Sequence, residues 1–298
     1  MDVGRLDRKK ELIKFILAMA LFGTNGLIVS KISLSSSEIV LLRTFLGSIF
    51  LLIVVIAGQG FSFSELRKDF VPASIGGAAL GMNWVLLFAA YRTAGVSLST
   101  LTYYCGPIIV LALSPIVFKE KLTLNKIIAI LAVAVGMVCI SGNIDAGSDV
   151  GVGMLYGGGA ALLYASLIIA NKRVNQLSGL NCALYELIIA FFVVLIYIIV
   201  QGIPLPVIPA KSDIIYVLFI GLVNTGLAYY LYFSSLQKLS GQTVALICYI
   251  DPLTALLISA AFLGESLGAL QIVGAILILG GACLGELKFS RKKQNLEE

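Results

Sequence analysis

Apolar positions in this chain neither alternate nor trace a single helical stripe; they run on. Ten stretches are predominantly apolar: 12–30, 37–57, 71–91, 97–118, 124–142, 152–171, 180–201, 213–236, 243–263 and 268–287. Each is close to the roughly 20 residues a helix needs to cross a hydrocarbon core about 30 Å thick. Lipid offers bare backbone no hydrogen-bond partner, so runs of this kind predict helices. The connectors are short, and the longest, at 58–70, 143–151 and 202–212, leave no room for a soluble domain. The expected fold class is an all-α polytopic membrane protein with ten transmembrane helices. Pro72 falls at the predicted first turn of the third helix, where its missing N–H is harmless. The first run is long enough to span, and no small-residue cleavage site follows it, so it reads as a helix rather than a signal peptide.

Composition agrees with this pattern. Hydrophobic residues make up 59% of the 298 and charged residues 12%, against about a quarter charged in soluble proteins. Mean hydropathy is +1.01. There are no histidines, and the five cysteines (Cys105, Cys139, Cys182, Cys248, Cys283) form no CxxC pair. They read as small buried hydrophobes, and no metal or other cofactor is expected.

The 21 basic residues give the expected sidedness. With the N-terminus in the cytoplasm, 17 of them fall in or beside cytoplasmic segments: Arg5, Arg8, Lys9, Lys10, Lys14, Arg67, Lys68, Lys119, Lys121, Lys126, Lys172, Arg173, Lys238, Lys288, Arg291, Lys292 and Lys293. Three, Lys31, Arg92 and Lys211, fall outside, and Arg43 lies well within a helix. This asymmetry predicts a plasma-membrane protein with both termini cytoplasmic. The net charge of +5 is then explained by tails facing an anionic leaflet, without a nucleic-acid partner.

The chain also repeats itself. A shift of 145 places Tyr104 on Tyr249, Pro107 on Pro252, Glu120 on Glu265, Gly136 on Gly281, Phe88 on Phe233 and Gly76 on Gly221. A shift of 141 places Ala20 on Ala161 and Lys31 on Lys172. The expected domains are residues 1–147 and 148–298, with five helices each. Because five is odd, the second half enters the membrane from the opposite side. Two inverted five-helix repeats are a transporter signature, with the substrate held between the halves near the midplane.

The residues that carry the repeat also carry a resemblance. Tyr91, Ala94-Gly95, Pro107 and Glu120-Lys121-Leu122 are similar to the end of an EamA repeat. So are Ala228-Tyr229-Tyr230, Pro252, Gly264-Glu265-Ser266-Leu267, Gln271, Gly274 and Gly281, while Leu21-Phe22-Gly23-Thr24-Asn25-Gly26 resembles its opening helix. Over nearly its whole length the chain resembles EamA-type members of the drug/metabolite transporter superfamily. That resemblance implies secondary transport of small metabolites, often export of amino acids or related compounds. Gly106 stands where the second repeat has Asp251, so the two halves are chemically unlike.

Ionisable groups inside a membrane are costly and mark function. Arg43 is expected about 10 Å deep and Glu186 about 9 Å deep from the opposite face, at 1.5 Å per residue. They are repeat mates at a shift of 143 and could pair, or Arg43 could reach outward while Glu186 finds a local donor. Asp251, about 12 Å deep, adjoins Pro252, which frees the carbonyl of Cys248; Pro107 frees that of Tyr103. Such helix breaks are tolerated where they line a cavity. Trp84, Tyr103, Tyr104, Tyr164, Tyr229 and Tyr249, with Asn25, Asn83 and Asn224, complete the candidate substrate site. Phenols, amides and one carboxylate suit a small zwitterion or organic cation. Glu186, Asp251 and Arg43 are the candidate coupling charges. Glu120, Glu265 and Glu38 are expected at helix ends or interfaces.

No GxxxxGK[ST] loop is present, so the energy source is expected to be a gradient, with proton coupling, exchange and uniport all open. The partners expected are a small-molecule substrate and the bilayer, with oligomeric state open. A lipid-modifying membrane enzyme would need paired acids or an activated nucleophile, and a channel would need a ring of polar residues; the sequence offers neither.

Overall fold

The computed structural model describes residues 3–58, 60–141, 150–205, 209–262 and 268–286. Its elements are α1 (Val3–Gly23), α2 (Asn25–Val29), α3 (Ser36–Ala57), α4 (Phe63–Tyr103), α5 (Cys105–Val117), α6 (Leu124–Ser141), α7 (Val150–Asn171), α8 (Gly179–Val200) and α9 (Ile214–Leu218). A π-helical stretch, Phe219–Leu227, leads into α10 (Ala228–Leu236), followed by α11 (Gly241–Ile247), α12 (Ile250–Phe262) and α13 (Ala269–Glu286). Among the described residues six helical segments are long and apolar enough to cross a membrane, and Cys105–Val117, Leu124–Cys139 and Ile272–Gly281 are shorter apolar helices. Lipid-facing residues such as Ile56, Leu155 and Ile116 are exposed, while one core cluster draws Phe15, Leu51 and Leu111 together with Ile168, Leu187, Phe233 and Leu246. The two halves of the chain therefore share a core.

Serine caps set the helix starts. Ser35 and Ser178, 143 residues apart, both sit in extended conformation before α3 and α8 and accept hydrogen bonds from Glu38 N and Asn181 N. Glu38 returns the bond to Ser35 N at 2.8 Å, completing a capping box.

Cross-chain hydrogen bonds sort the loops onto two ends of the molecule. At one, Glu11 meets Lys238 at 3.0 Å, Glu120 accepts from Gly241 N, and Asp69 accepts from the backbone N–H groups of Asn175, Gln176 and Leu177. At the other, Asp213 accepts from Ser33 N at 2.9 Å and from Ser33 Oγ at 2.6 Å. These bonds hold the Asp213 carboxyl below the usual carboxylate range. Asp69 and Asp213 are 144 residues apart in sequence, and each clamps a loop of the other half.

Two expectations need correction. The third predicted helix begins earlier, so Pro72 lies inside α4 rather than at its first turn. The third and fourth predicted spans form one helical run through Tyr103. That run nevertheless reverses. Asn83 bonds Ala160 of α7, Thr93 and Ala94 touch Gly153, Thr102 touches Gly157, and Gly106 touches Tyr164. Contacts thus climb one way along α7 and then return, so the chain turns back between Ala94 and Thr102. The fourth and ninth predicted spans are each interrupted before their prolines, at Tyr104 and at Cys248–Tyr249.

Candidate substrate site

The two breaks meet in the interior. The Tyr249 hydroxyl donates to the Tyr104 carbonyl at 2.7 Å, and their rings lie 6.0 Å apart. The carbonyl of Cys248 left by Pro252 accepts Asp251 N at 3.2 Å, so a tight turn takes up most of what the proline frees. The Tyr164 hydroxyl and Cys248 Sγ share a hydrogen bond at 2.7 Å. Tyr103 stacks edge-on to both Tyr104 and Tyr164.

Arg43 occupies the other wall. It is 7% exposed, so it does not reach outward to the membrane surface. Its Nε donates to Thr225 Oγ1 at 2.9 Å, and its guanidinium lies 4.7 Å from the centroid of Trp84. Trp84 in turn meets Tyr229 edge-on at 5.7 Å, and Tyr229 meets Phe22 at 4.9 Å. The Asp251 carboxyl accepts a hydrogen bond from the Tyr104 side chain and acts electrostatically on Arg43. Residues from both halves thus bring a buried cation, a partly exposed carboxylate and a set of aromatic rings to one level.

The local backbone explains this approach. Gly47 of α3 rests against Thr225 and Gly221, with no room for a β-carbon, which lets α3 and the π-helical stretch come close. Thr225 Oγ1 also donates to Ile220 O at 2.7 Å, five residues back, the spacing of a π-turn. Single π-turns recur at functional sites because they displace one side chain from the helical register.

Glu186 stands apart. It is fully buried, and its Oε1 accepts from Asn171 Nδ2 at 2.8 Å and from Cys182 Sγ at 3.7 Å, while Oε2 has no partner among the described residues. It lies against Gly76 of α4. Gly76 is the repeat mate of Gly221, and Glu186 that of Arg43. The two ionisable groups therefore sit on equivalent but separate interfaces, α8 with α4 and α3 with the π-helical stretch, which is why they do not pair.

The amides bond to neighbouring helices. Asn83 donates to Ala160 O at 2.6 Å, and Asn224 donates to Leu21 O, Thr24 Oγ1 and Asn25 Oδ1. Tyr249 is packed with Val133, Met137 and Ile278. Pro107 and Pro252 are both buried. Cys105 is exposed rather than buried, and Glu265 lies outside the described residues. Thr225 was missed by sequence reading; its only signal was a second polar residue beside Asn224 in an apolar run. A cavity of about 210 Å³, lined by Ser37, Val40, Val85, Phe88, Thr93 and Tyr156 among others, opens on the Ser33-end side of Trp84. Among the described residues no group of three or more metal-ligating side chains gathers.

The fold is a bundle of long apolar helices with a charged, aromatic interior, and comparison with known proteins gives its family. Residues 9–142 and 151–285 each match the EamA-like transporter family, and the chain belongs to it. It is 27% identical over 288 residues to the uncharacterized transporter YxxF of Bacillus subtilis (strain 168), covering 95% of this chain and 91% of that one. It is 26% identical to protein PecM of Dickeya dadantii (strain 3937), over 74% of this chain and 75% of that one. A solved crystal structure, 19% identical, superposes with a TM-score of 0.81 over 93% of this chain and 97% of that one, a likeness of fold. The protein is a multi-pass membrane transporter.

Proposed function

We propose that this protein is a secondary transporter that moves a small metabolite across the plasma membrane by alternating access. The substrate class is an amino acid, an amine or a related zwitterion or organic cation, and the direction is export. The observation that carries this reading is the buried Arg43 guanidinium held by Thr225 against Trp84, itself packed on Tyr229, with Asp251 acting on it electrostatically. A fixed cation and a fixed anion in low dielectric complement a zwitterion's two ends. Aromatic faces add attraction for its ammonium group. Asp251 is the proton-coupling group in this reading, and Glu186 a second buried carboxyl able to exchange a proton.

Ten crossings in two inverted repeats, residues 1–147 and 148–298 with both termini cytoplasmic, fit the sorting of loops onto two ends. The reversal of α4 supplies the turn between the third and fourth crossings. In this arrangement the Glu11 end is cytoplasmic and the Ser33 end external, as the basic residues require.

The test is counterflow in proteoliposomes with labelled amino acids, polyamines and small organic cations, comparing wild type with Asp251→Asn. Saturable counterflow that Asp251→Asn abolishes, or strips of pH dependence, supports the reading. Wild-type flux at every pH in Asp251→Asn removes Asp251 from the mechanism, and non-saturating flux in the wild type removes the carrier. Single cysteines at Lys31 and Lys172, probed with an impermeant thiol reagent on intact cells, test the inversion; labelling of both from one side overturns it.

A further inference from the structure

The loop between α10 and α11 leaves a backbone end that the first half of the chain closes. α11 begins at Gly241, and its first two N–H groups are taken by one carboxylate of the other half: Glu120 Oε1 accepts Gly241 N at 2.8 Å and Oε2 accepts Gln242 N at 3.1 Å. The Gln242 side chain crosses back, donating to Ser114 Oγ at 2.7 Å and accepting from Lys126 Nζ. The Phe118 ring lies directly on Gly241, with no room for a β-carbon. Lys119 adopts φ 56, a left-handed conformation uncommon for a side-chain-bearing residue. It turns the chain so that Glu120 N returns to Ser114 O and the carboxyl faces α11. Every residue from Gly241 to Tyr249 is buried.

The equivalent place in the first half is built differently. At a shift of 145, Gly241 and Gln242 fall on Val96 and Ser97. There the chain turns back within the helical run of α4, between Ala94 and Thr102. The cavity lined by Phe88, Thr93 and Tyr156 lies beside this stretch, at the Ser33 end. The molecule thus has a cross-half hydrogen-bond cluster at one end and a cavity at the other.

We propose that Glu120, Gln242, Ser114 and Lys126 form a latch that holds the Glu11 end of the translocation pathway shut, and that its release opens that end while the Ser33 end closes. The proposal rests on the transporter reading and names its gate. Two charge-assisted bonds to backbone N–H groups suit the task. They are short and directional, and the ends of loops and helices re-form them without repacking a core.

The experiment measures access without any substrate, so its failure is separable from failure of the transport reading. The full chain, with Cys105, Cys139, Cys182 and Cys283 replaced by Ala, retains Cys248 at the inner end of α11 as reporter. A second version carries Thr93→Cys, lining the opposite cavity, with Cys248 also replaced. Both are reconstituted in vesicles and exposed to an impermeant maleimide from each side in turn. Glu120→Gln, which halves the acceptor set, should raise Cys248 labelling from the Glu11 end several-fold and lower Thr93→Cys labelling from the Ser33 end by a similar factor. Gln242→Ala leaves the Glu120 bonds in place and should give the same reciprocal change, smaller; it decides the matter if Glu120→Gln does not fold. Unchanged labelling in the folded variants overturns the latch. So does a rise at Cys248 with no fall at Thr93→Cys, which is local fraying. A protein that shows the reciprocal change yet transports nothing leaves the latch standing and rejects the substrate reading.

Discussion

Arg43 lies beneath Trp84, its guanidinium carbon 4.7 Å from the ring centroid, and is fixed there by a 2.9 Å bond from Nε to Thr225. The charge is held by a ring face and a hydroxyl, with the carboxylate of Asp251 acting from further off. Arg43→Lys keeps the charge and loses both the planar stacking and the Nε bond. We expect transport to fall at least about tenfold, since each 1.4 kcal/mol is a factor of ten and a desolvated cation–π contact alone is worth about 2 kcal/mol. Counterflow rates with Arg43→Lys near those of the wild type would show that the site needs only the charge.

Gly76 and Glu186 are predicted to be coupled. A β-carbon on Gly76 has no space beside the Glu186 carboxyl. Gly76→Ala should destabilise by about 1–3 kcal/mol through overpacking, and Glu186→Ala should relieve part of that loss. Thermal unfolding of both single variants and the double in detergent measures the coupling, expected at about 0.5–3 kcal/mol. Strict additivity would mean that the two helices separate to make room.

Asp69 accepts three successive backbone N–H groups, from Asn175, Gln176 and Leu177. Asp69→Ala leaves them without that partner, and a loss of about 2–3 kcal/mol is expected from the charge-assisted bonds. Asp69→Asn, with one neutral acceptor, should fall between. Hydrogen exchange at Gln176 and Leu177 reads this directly; unchanged protection in Asp69→Ala would show that the loop holds itself.

Lys172 follows α7, where burial pushes its ammonium down to about 8 and the charge of Glu120 opposes the shift. Below pH 8 the folded and unfolded states both carry the proton, and the burial penalty is present in full. Between about pH 8 and the unfolded value near 10.4, the unfolded chain holds more protons, so this group makes stability rise with pH. Lys172→Gln should be more stable than the wild type at pH 7, with the gap closing toward pH 10. A gap independent of pH would place the Lys172 ammonium in water.

What the sequence determined by itself was whatever depends on composition along the line of the chain. Uninterrupted apolar runs dictate helices in lipid, because each backbone group must be satisfied within its own segment. The matched prolines Pro107 and Pro252 stand just beyond the two helix breaks. The residues with which the family resemblance was read were equally legible, since motif spacing is a property of one dimension. Tertiary structure decided the partners. Arg43 and Glu186 look like a matched pair in sequence, yet the exchange of loops and interfaces between the halves sends Arg43 to Thr225 and Trp84, and Glu186 to Asn171 and Gly76. Tyr249, expected to face a cavity, has its hydroxyl taken by the Tyr104 carbonyl. Asn83 and Asn224 spend their amides on neighbouring helices. Depth along a helix follows from 1.5 Å per residue, but the direction a side chain faces depends on which helix packs beside it. That is fixed by close approaches such as Gly47 on Thr225, between residues 178 positions apart in the chain.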